Sequence, residues 1–493
     1  MSVSLGEILG FIRERCSSVE FFSGDSDLSV QVSNISSDSR FLPENTLFCC
    51  IKGEKSDGHD YAKFAQDNGA VAIFAERKLD GLKIPQIIVN SVRDFLGETG
   101  ALIYDFPAKK LLMVGVTGTN GKTTTTYITR SILQAAGIRT GLLGTIIESD
   151  GVNETDADRT TPESSIVQRQ LAAMIKNSCG ACVMETSSHG LYFGRLKGIS
   201  YDVPVFTNLY PEHLDFHVTM ENYFAAKKLL FTNYSKPDFL GAANFDSEYG
   251  RRLLQEFPEN LRGFGLSEAA DSRAFDYETR LDGTKLKIAT KGFNTLELDS
   301  PLVGDFNIMN TLCAVTAMRG RVDDAAIISG VRTVPQVPGR LERIDLPNGA
   351  RCFVDFAHTP SALETVLRTI TDLAGNSRGK LISVFGHGGG RYQQNRPELG
   401  KAASKFADEI IITNDNARDE IPMEIAKMIK SGVTKPHEII LNREEAVTHA
   451  LEKLAPNDIL VITGKGPEKF VLLEKGRKIP YNDSECVKAW CAK

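Results

Sequence analysis

Nowhere in its 493 residues does the chain run to the roughly 20 consecutive apolar residues that a membrane-spanning helix needs, so no span is expected. No apolar stretch follows a basic start either. Glu7, Arg13, Glu14 and Arg15 interrupt the first apolar residues, which recur at helical spacing, and no secretory signal is expected. Basic residues are not in excess: 57 Lys and Arg against 63 Asp and Glu give a net charge of -6. That excludes a nucleic-acid coat and leaves small-molecule chemistry open. Nine cysteines, an odd and scattered set, do not suggest a disulfide framework. Cys49-Cys50 and Cys179-Gly180-Ala181-Cys182 admit a metal or redox reading. No second CxxC stands near, and reduced thiols in a cytoplasmic protein are the expectation. Internal repeats and low-complexity tracts are absent.

What is present is an ordinary soluble composition, 42% hydrophobic and 24% charged. A single core stops growing at about 250–300 residues, so two or three domains are expected. Residues 1–107 mix short strands (47–51, 70–75) with a helix over 57–68 that stops at Gly69. The pattern breaks at Tyr104-Asp105-Phe106-Pro107. From Leu111 strand-like runs (111–116, 181–185, 203–208) alternate with helices, the signature of a parallel sheet covered on both faces. Val334-Pro335-Gln336-Val337-Pro338-Gly339 forms a second break. Beyond it further strands are expected at 352–356, 381–385, 409–413 and 459–463.

The sharpest local signal is Gly115-Val116-Thr117-Gly118-Thr119-Asn120-Gly121-Lys122-Thr123-Thr124, set between a buried strand and a helix. Glycines let backbone N–H groups approach phosphate, and the helix N-terminus favours anions. Lys122 would reach the β- and γ-phosphates and Thr123 would ligate Mg²⁺. The strict template has glycine where Val116 stands, so the loop is a variant. Glu185 ends a strand of the same sheet, where ligands bind, and could hold Mg²⁺. His213 and His217 flank Asp215; they read either as metal ligands or as satisfied structural histidines. Lys227-Lys228 on a helix reads, on its own, as a solvated face.

Taken together and in order, these segments resemble the Mur ligase family. The resemblance rests on the 118–124 loop, Glu185-Thr186-Ser187-Ser188-His189-Gly190, Thr207-Asn208-Leu209 and His213-Leu214-Asp215-Phe216-His217. It continues through Ala226-Lys227, Gly304-Asp305-Phe306-Asn307, Pro338-Gly339-Arg340-Leu341-Glu342 and Asp355-Phe356-Ala357-His358 over essentially the whole chain. It implies three α/β domains. A UDP-sugar substrate domain (1–107) precedes a central P-loop-type parallel-sheet ATPase domain (108–337), and a C-terminal Rossmann-like domain (338–493) binds an amino acid.

The implied activity is ATP-dependent amide ligation through an acyl-phosphate, in peptidoglycan precursor synthesis. Asp38-Ser39-Arg40 and Thr160-Thr161-Pro162 look like the branch that adds the third stem-peptide residue to UDP-N-acetylmuramoyl-L-Ala-D-Glu. The resemblance assigns Gly118, Thr119, Asn120, Gly121, Lys122, Thr123, Thr124, Asn307, Arg340 and His358 to ATP. Thr123, Glu185, His213 and a carbamylated Lys227 are assigned to two Mg²⁺ ions. Ser37, Ser39, Thr160, Thr161, Ser187 and Arg195 are assigned to the UDP-muramyl dipeptide, with 54–56 near the uridine. Arg391, Asp415, Asn416, Ala417, Arg418, Gly464 and Glu468 are assigned to the amino acid.

Family members that use meso-diaminopimelate carry Asp-Asn-Pro-Arg. Here Ala417 replaces the proline, while Arg418 keeps a partner for a distal carboxylate that lysine lacks. The expected amino acid is therefore diaminopimelate, the alternative L-lysine or another diamino acid. Other readings are a superfamily ligase such as a folylpolyglutamate synthetase, a scaffold that has lost catalysis, and a P-loop NTPase. Retention of Lys122, Glu185, His213 and Lys227 opposes the scaffold. A monomer without nucleic-acid partners is expected.

Overall fold

The computed structural model describes residues 2–24, 27–53, 56–375 and 378–493. The chain divides into two compact units. The first comprises Met1–Arg273, Thr290–Gly292 and Leu312–Gly330; the second comprises Ala274–Ala289, Phe293–Thr311 and Val331–Lys493.

Beside the short antiparallel pair Val3–Ser4 and Gln31–Val32, the first unit holds two larger sheets. The smaller has the spatial order Glu20–Phe22, Gln86–Ile88, Ala70–Ala75, Thr46–Cys49, Asn34–Ser36. Its pairs are parallel except at the Glu20–Phe22 edge. Helix Leu5–Arg13 packs Leu5, Ile8 and Ile12 against one face, with Leu96 and Phe74 in the same core. A reciprocal cap starts this helix: Glu7 N–H donates to Ser4 Oγ at 3.2 Å and Ser4 N–H to the Glu7 carboxylate at 2.8 Å. The helix expected over 57–68 divides into a 3₁₀ turn, Gly58–Tyr61, and an α-helix, Ala62–Asp67.

In the larger sheet, strand Leu112–Thr117 lies between Ala181–Glu185 and Val203–Phe206, parallel to both. Thr140–Leu143 follows on one side and Gly241–Asn244 on the other. The chain thus reverses its winding direction at Leu112–Thr117, and the carboxyl ends of these strands open a crevice there. Burial on both faces explains the unbroken apolar run of this strand.

The second unit contains the antiparallel pair Gly283–Thr290 and Leu296–Ser300 and a six-stranded sheet. The order of the latter is Glu342–Asp345, Arg351–Asp355, Ile459–Thr463, Leu381–Phe385, Glu409–Ile412, His437–Ile439, antiparallel only at the first pair. Helices cover both faces, giving two cores, one around Phe353 and Phe385 and one around Ile382, Val384 and Leu460. Phe353 is wholly buried. Phe353→Ala is expected to cost about 3–5 kcal/mol, seen as a lower urea midpoint for loss of this unit's structure.

The architecture is α/β throughout. No helix among the described residues is long and apolar enough to cross a membrane. All nine cysteines are free thiols, and burial pushes Cys50 up to about 12.

Candidate active site

In the first unit the 118–124 loop sits at the carboxyl end of Leu112–Thr117. Two glycines have left-handed backbone, Gly118 at φ 145° and Gly121 at φ 86°. A Cβ on Gly118 would lie 1.9 Å from Thr207 Oγ1. The neighbouring strand end fastens the loop: Thr207 Oγ1 and Asn208 Nδ2 donate to Asn120 O at 2.6 and 3.1 Å, and Asn120 N–H donates to Asn208 Oδ1 at 2.9 Å. Thr-Asn at 207–208 is therefore the buttress of the loop. Helix Lys122–Ala135 begins at Gly121 with no side-chain cap, and the positive end of its dipole favours an anion there. Lys122 Nζ curls onto the loop, donating to Gly118 O at 3.0 Å and Thr119 O at 2.9 Å. Gly118→Ala is expected to lower ATP-dependent turnover at least about tenfold, through both strain and the clash; steady-state kinetics against ATP concentration checks it.

Glu185, 1% exposed, ends the adjacent strand. Thr145 holds both of its oxygens, by N–H at 2.8 Å and by Oγ1 at 3.0 Å, and Thr145 Oγ1 is also 3.1 Å from Thr160 Oγ1. Thr161 Oγ1 donates to Glu185 O at 2.9 Å and accepts from Ser187 N–H at 3.0 Å. Arg195 donates to Thr161 O at 3.2 Å. Thr160, Thr161, Glu185, Ser187 and Arg195 are thus drawn into one cluster. Nothing in the sequence pointed to Thr145, because its bond to Glu185 spans 40 positions. Arg195 also pairs with Glu163 at 3.0 Å, and Arg93 and Arg159 reach the same carboxylate at 3.2 and 3.3 Å. Three guanidiniums on one carboxylate leave a local positive excess that suits an anionic substrate.

Lys227 is 1% exposed, on helix Met220–Thr232. The solvated-face reading is therefore incorrect for Lys227. Lys228 does lie at the surface side, ion-paired to Glu256 at 2.8 Å. Lys227 Nζ donates to Gly118 O at 2.8 Å, and burial, then the charge of Lys122, pull its pKa well below the usual lysine range. The two histidines also separate. His217 is buried with Nε2 3.0 Å from Ser188 Oγ, and burial followed by the nearby His189 lowers its pKa to about 4. His213 is exposed, at φ 55°, with its ring 5.0 Å from that of His189.

Ser37 and Ser39 lie half-exposed in the loop after Asn34–Ser36, where Arg40 and Asp38 pair at 2.7 Å. Of the segment 54–56, Glu54 and Lys55 lie outside the described residues.

The second unit gathers the residues assigned to an amino acid. Arg418, left-handed at φ 53°, donates to Gly389 O. Its neighbour Ala417 is 1% exposed, so burial rather than a proline ring holds this turn. Lys465, wholly buried, donates to Asn416 Oδ1 at 3.0 Å and Glu468 Oε2 at 2.8 Å, and lies 3.6 Å from Asp415 Oδ1. Asn416 Nδ2 adds a bond to Glu468 Oε2 at 2.8 Å. Buried Asp415 Oδ1 has no hydrogen-bond donor among the described residues. At Gly464, φ 112°, a Cβ would come 2.9 Å from Asp415 Oδ2. Two carboxylates therefore share one lysine, and Arg418 follows Asp415 by three residues in the same loop, a set of charges suited to an ammonium and a carboxylate together. Lys465 stands between Gly464 and Glu468 in the sequence, yet only the fold reveals that it joins the two carboxylates.

Arg391 is exposed. Arg340 and His358 both approach Phe356, Arg340 at 5.8 Å from its ring and His358 Nδ1 at 2.8 Å from its carbonyl. Asn307 uses its amide inside its own helix turn, donating to Val303 O and accepting from Asn310, each at 2.8 Å.

Family models match three segments: a Mur ligase family catalytic domain over residues 31–104, a Mur ligase middle domain over 116–318 and a Mur ligase glutamate ligase domain over 339–466. A relative from Clostridium acetobutylicum, named UDP-N-acetylmuramoyl-L-alanyl-D-glutamate--2,6-diaminopimelate ligase 1, is 38% identical, with 94% of this chain and 95% of the relative covered. A solved UDP-N-acetylmuramoyl-L-alanyl-D-glutamate--2,6-diaminopimelate ligase superposes with TM-score 0.70 at 28% identity, over 100% of this chain and 99% of that one. The MurF ligase of Thermotoga maritima in complex with ADP shares the fold at TM-score 0.63 and 22% identity, over 88% and 94% of the two chains.

Proposed function

The chain belongs to the Mur ligase family, and we propose that it joins meso-diaminopimelate to the D-Glu of UDP-N-acetylmuramoyl-L-Ala-D-Glu at the expense of ATP. The observation that carries the amino acid is the pair of carboxylates, Asp415 and Glu468, that share Lys465, with Arg418 three residues beyond Asp415 in the same loop. An amino acid end with both charges fits there, and Arg418 meets a distal carboxylate in a way an ammonium alone would not use. L-Lysine or another diamino acid is the second reading, favoured by Ala417 in place of proline.

A carboxylate is a poor acyl donor. In the reading proposed here an oxygen of the D-Glu γ-carboxylate attacks the γ-phosphorus of ATP, and the bond to ADP breaks. The amine nitrogen then attacks the acyl carbon, the C–O bond to phosphate breaks, and the amine loses a proton. The 118–124 loop and the start of helix Lys122–Ala135 hold the phosphates, with Lys122 neutralising charge that builds on them. Arg195 and its arginine neighbours orient the precursor, with Thr160, Thr161 and Ser187 as hydrogen-bonding groups and Ser37 and Ser39 toward the UDP end. Arg340, His358 and Asn307 are the further candidates for ATP contact. Holding acyl donor and amine in line removes entropic cost.

The donor set fits Mg²⁺ on one condition. As encoded, Thr123, Glu185 and His213 offer a single carboxylate, and no group of three His, Cys, Asp or Glu able to hold a metal occurs among the described residues. Burial, then the charge of Lys122, pull the Lys227 pKa down and so favour the free amine, the form that takes up CO₂. Its carbamate would supply the missing anionic oxygen, a hard donor that Mg²⁺ prefers. Thr123, Glu185, His213 and carbamylated Lys227 would then hold two ions, which supply charge neutralisation at the phosphates when bound. The reading takes the chain as a cytoplasmic monomer serving cell-wall synthesis.

The acyl-phosphate route is tested with ¹⁸O in the D-Glu γ-carboxylate. Transfer of the label into released phosphate is expected; unlabelled phosphate would exclude the route.

A further inference from the structure

Arg443 opens helix Arg443–Glu452 and is 3% exposed. Its guanidinium forms a bidentate pair with Asp483: Nε donates to Oδ1 and Nη2 to Oδ2, both at 2.8 Å. A buried pair of this kind adds little net stability over apolar packing, so its presence asks for another reason. The remaining donors supply one. Nη1 donates to Asn414 O at 3.2 Å and Nη2 to Thr463 O at 2.9 Å. Asn414 leads directly into Asp415-Asn416-Ala417-Arg418, and Thr463 into Gly464-Lys465-Gly466-Pro467-Glu468. Strand Leu381–Phe385 separates the strand that ends in Thr463 from Glu409–Ile412, the strand that Asn414 follows, so no backbone ladder joins them directly. The planar Arg443 side chain bridges the two carbonyls, in addition to the bonds that Lys465 and Asn416 make between the loops themselves.

The partner of Arg443 is equally placed. Asp483 stands in the first turn of the helix Asp483–Cys491, and the cap of that helix, Asn482, donates Nδ2 to Glu468 O at 3.1 Å. The next residue, Ser484, donates to Glu342 Oε2 at 2.6 Å, and the same oxygen accepts Gly339 N–H at 3.2 Å. One helical turn therefore reaches the 464–468 loop directly, the 415–418 loop through Arg443, and the 339–342 segment through Glu342.

We infer that Arg443, fixed by Asp483, is a positioning residue for the amino-acid substrate, setting the separation of the 415–418 and 464–468 loops across the intervening strand. The inference rests on the amino-acid site proposed above. Arg418 lies on one loop and Glu468 on the other, so the distance between the groups that receive the substrate's carboxylate and ammonium depends on how the loops are joined: by Lys465 and Asn416 within them, and by Arg443 at the residues that enter them. Only a flat fork of donors can address two carboxylate oxygens and two carbonyls in one plane; a lysine ammonium cannot.

Arg443→Lys keeps the charge opposite Asp483 and removes the fork. With whichever diamino acid gives the fastest wild-type phosphate release, KM for that amino acid is expected to rise about tenfold or more. KM for ATP is expected to stay within about twofold, since the 118–124 loop is untouched. A residue that only stabilises the fold would lower the unfolding midpoint and the active fraction, leaving the amino-acid KM unchanged, and that outcome overturns the inference. If Arg443→Lys does not fold, Asp483→Asn, which keeps the shape of the pair and removes its charge, carries the same expectation. Wild-type release with no diamino acid overturns the proposed function and this inference together; wild-type release with an unchanged amino-acid KM in the variant overturns this inference alone.

Discussion

Lys227→Ala is expected to lower amine-dependent phosphate release on the order of 10²–10³-fold or more, while the protein remains folded. The lysine is buried 2.8 Å from a carbonyl of the phosphate loop, and an ordinary ammonium there would add to the positive charge of Lys122. Its depressed pKa favours the free amine, which can react with CO₂. Carbamylation converts a group that repels a cation into one that binds it. Wild-type protein equilibrated with ¹³C-bicarbonate should show a carbamate resonance that Lys227→Ala lacks. A plain structural lysine would give no such resonance. Alanine in its place would then cost stability without selectively abolishing turnover, and that result would remove Lys227 from the proposed metal site.

Arg418→Ala is expected to raise KM for meso-diaminopimelate about tenfold to a hundredfold, the loss of a charge-assisted bidentate pair of about 1.5–3 kcal/mol. KM for L-lysine should change far less, because lysine has no distal carboxylate to lose. In the structure the Arg418 side chain rests on Gly389 O, and its left-handed backbone aims it from a turn whose neighbour, Ala417, is buried. An equal rise for both amino acids would mean that Arg418 shapes the loop and does not read the substrate. Competition between the two amino acids in a single reaction, followed by product mass, checks the difference directly.

Much of the phosphate loop was legible because its chemistry is local. Glycines, lysine and threonines stand within a few positions, and the buried strand before them reads as an apolar run. Lys227 and the two histidines were not decidable in the same way. A lysine pair on a helix, or two histidines around an aspartate, have one meaning in solvent and another under a loop, and burial is a property of the fold. Thr145, Lys465 and Arg443 illustrate a second limit. Each acts through a partner 40 or 49 positions away, as in Thr145 with Glu185, Lys465 with Asn416 and Arg443 with Asp483, and no local spacing encodes such a bond. The grouping of Ala274–Ala289 and Phe293–Thr311 with the carboxyl-terminal unit was likewise hidden. The composition there does not change where the compact unit does.

The most direct measurement is phosphate release with ATP, Mg²⁺ and UDP-N-acetylmuramoyl-L-Ala-D-Glu, with meso-diaminopimelate or L-lysine added separately. Release is expected to require both the muramyl dipeptide and diaminopimelate. Release that requires the dipeptide but takes lysine in preference would contradict the Arg418 argument, and release that needs neither amine nor dipeptide would contradict the ligase itself.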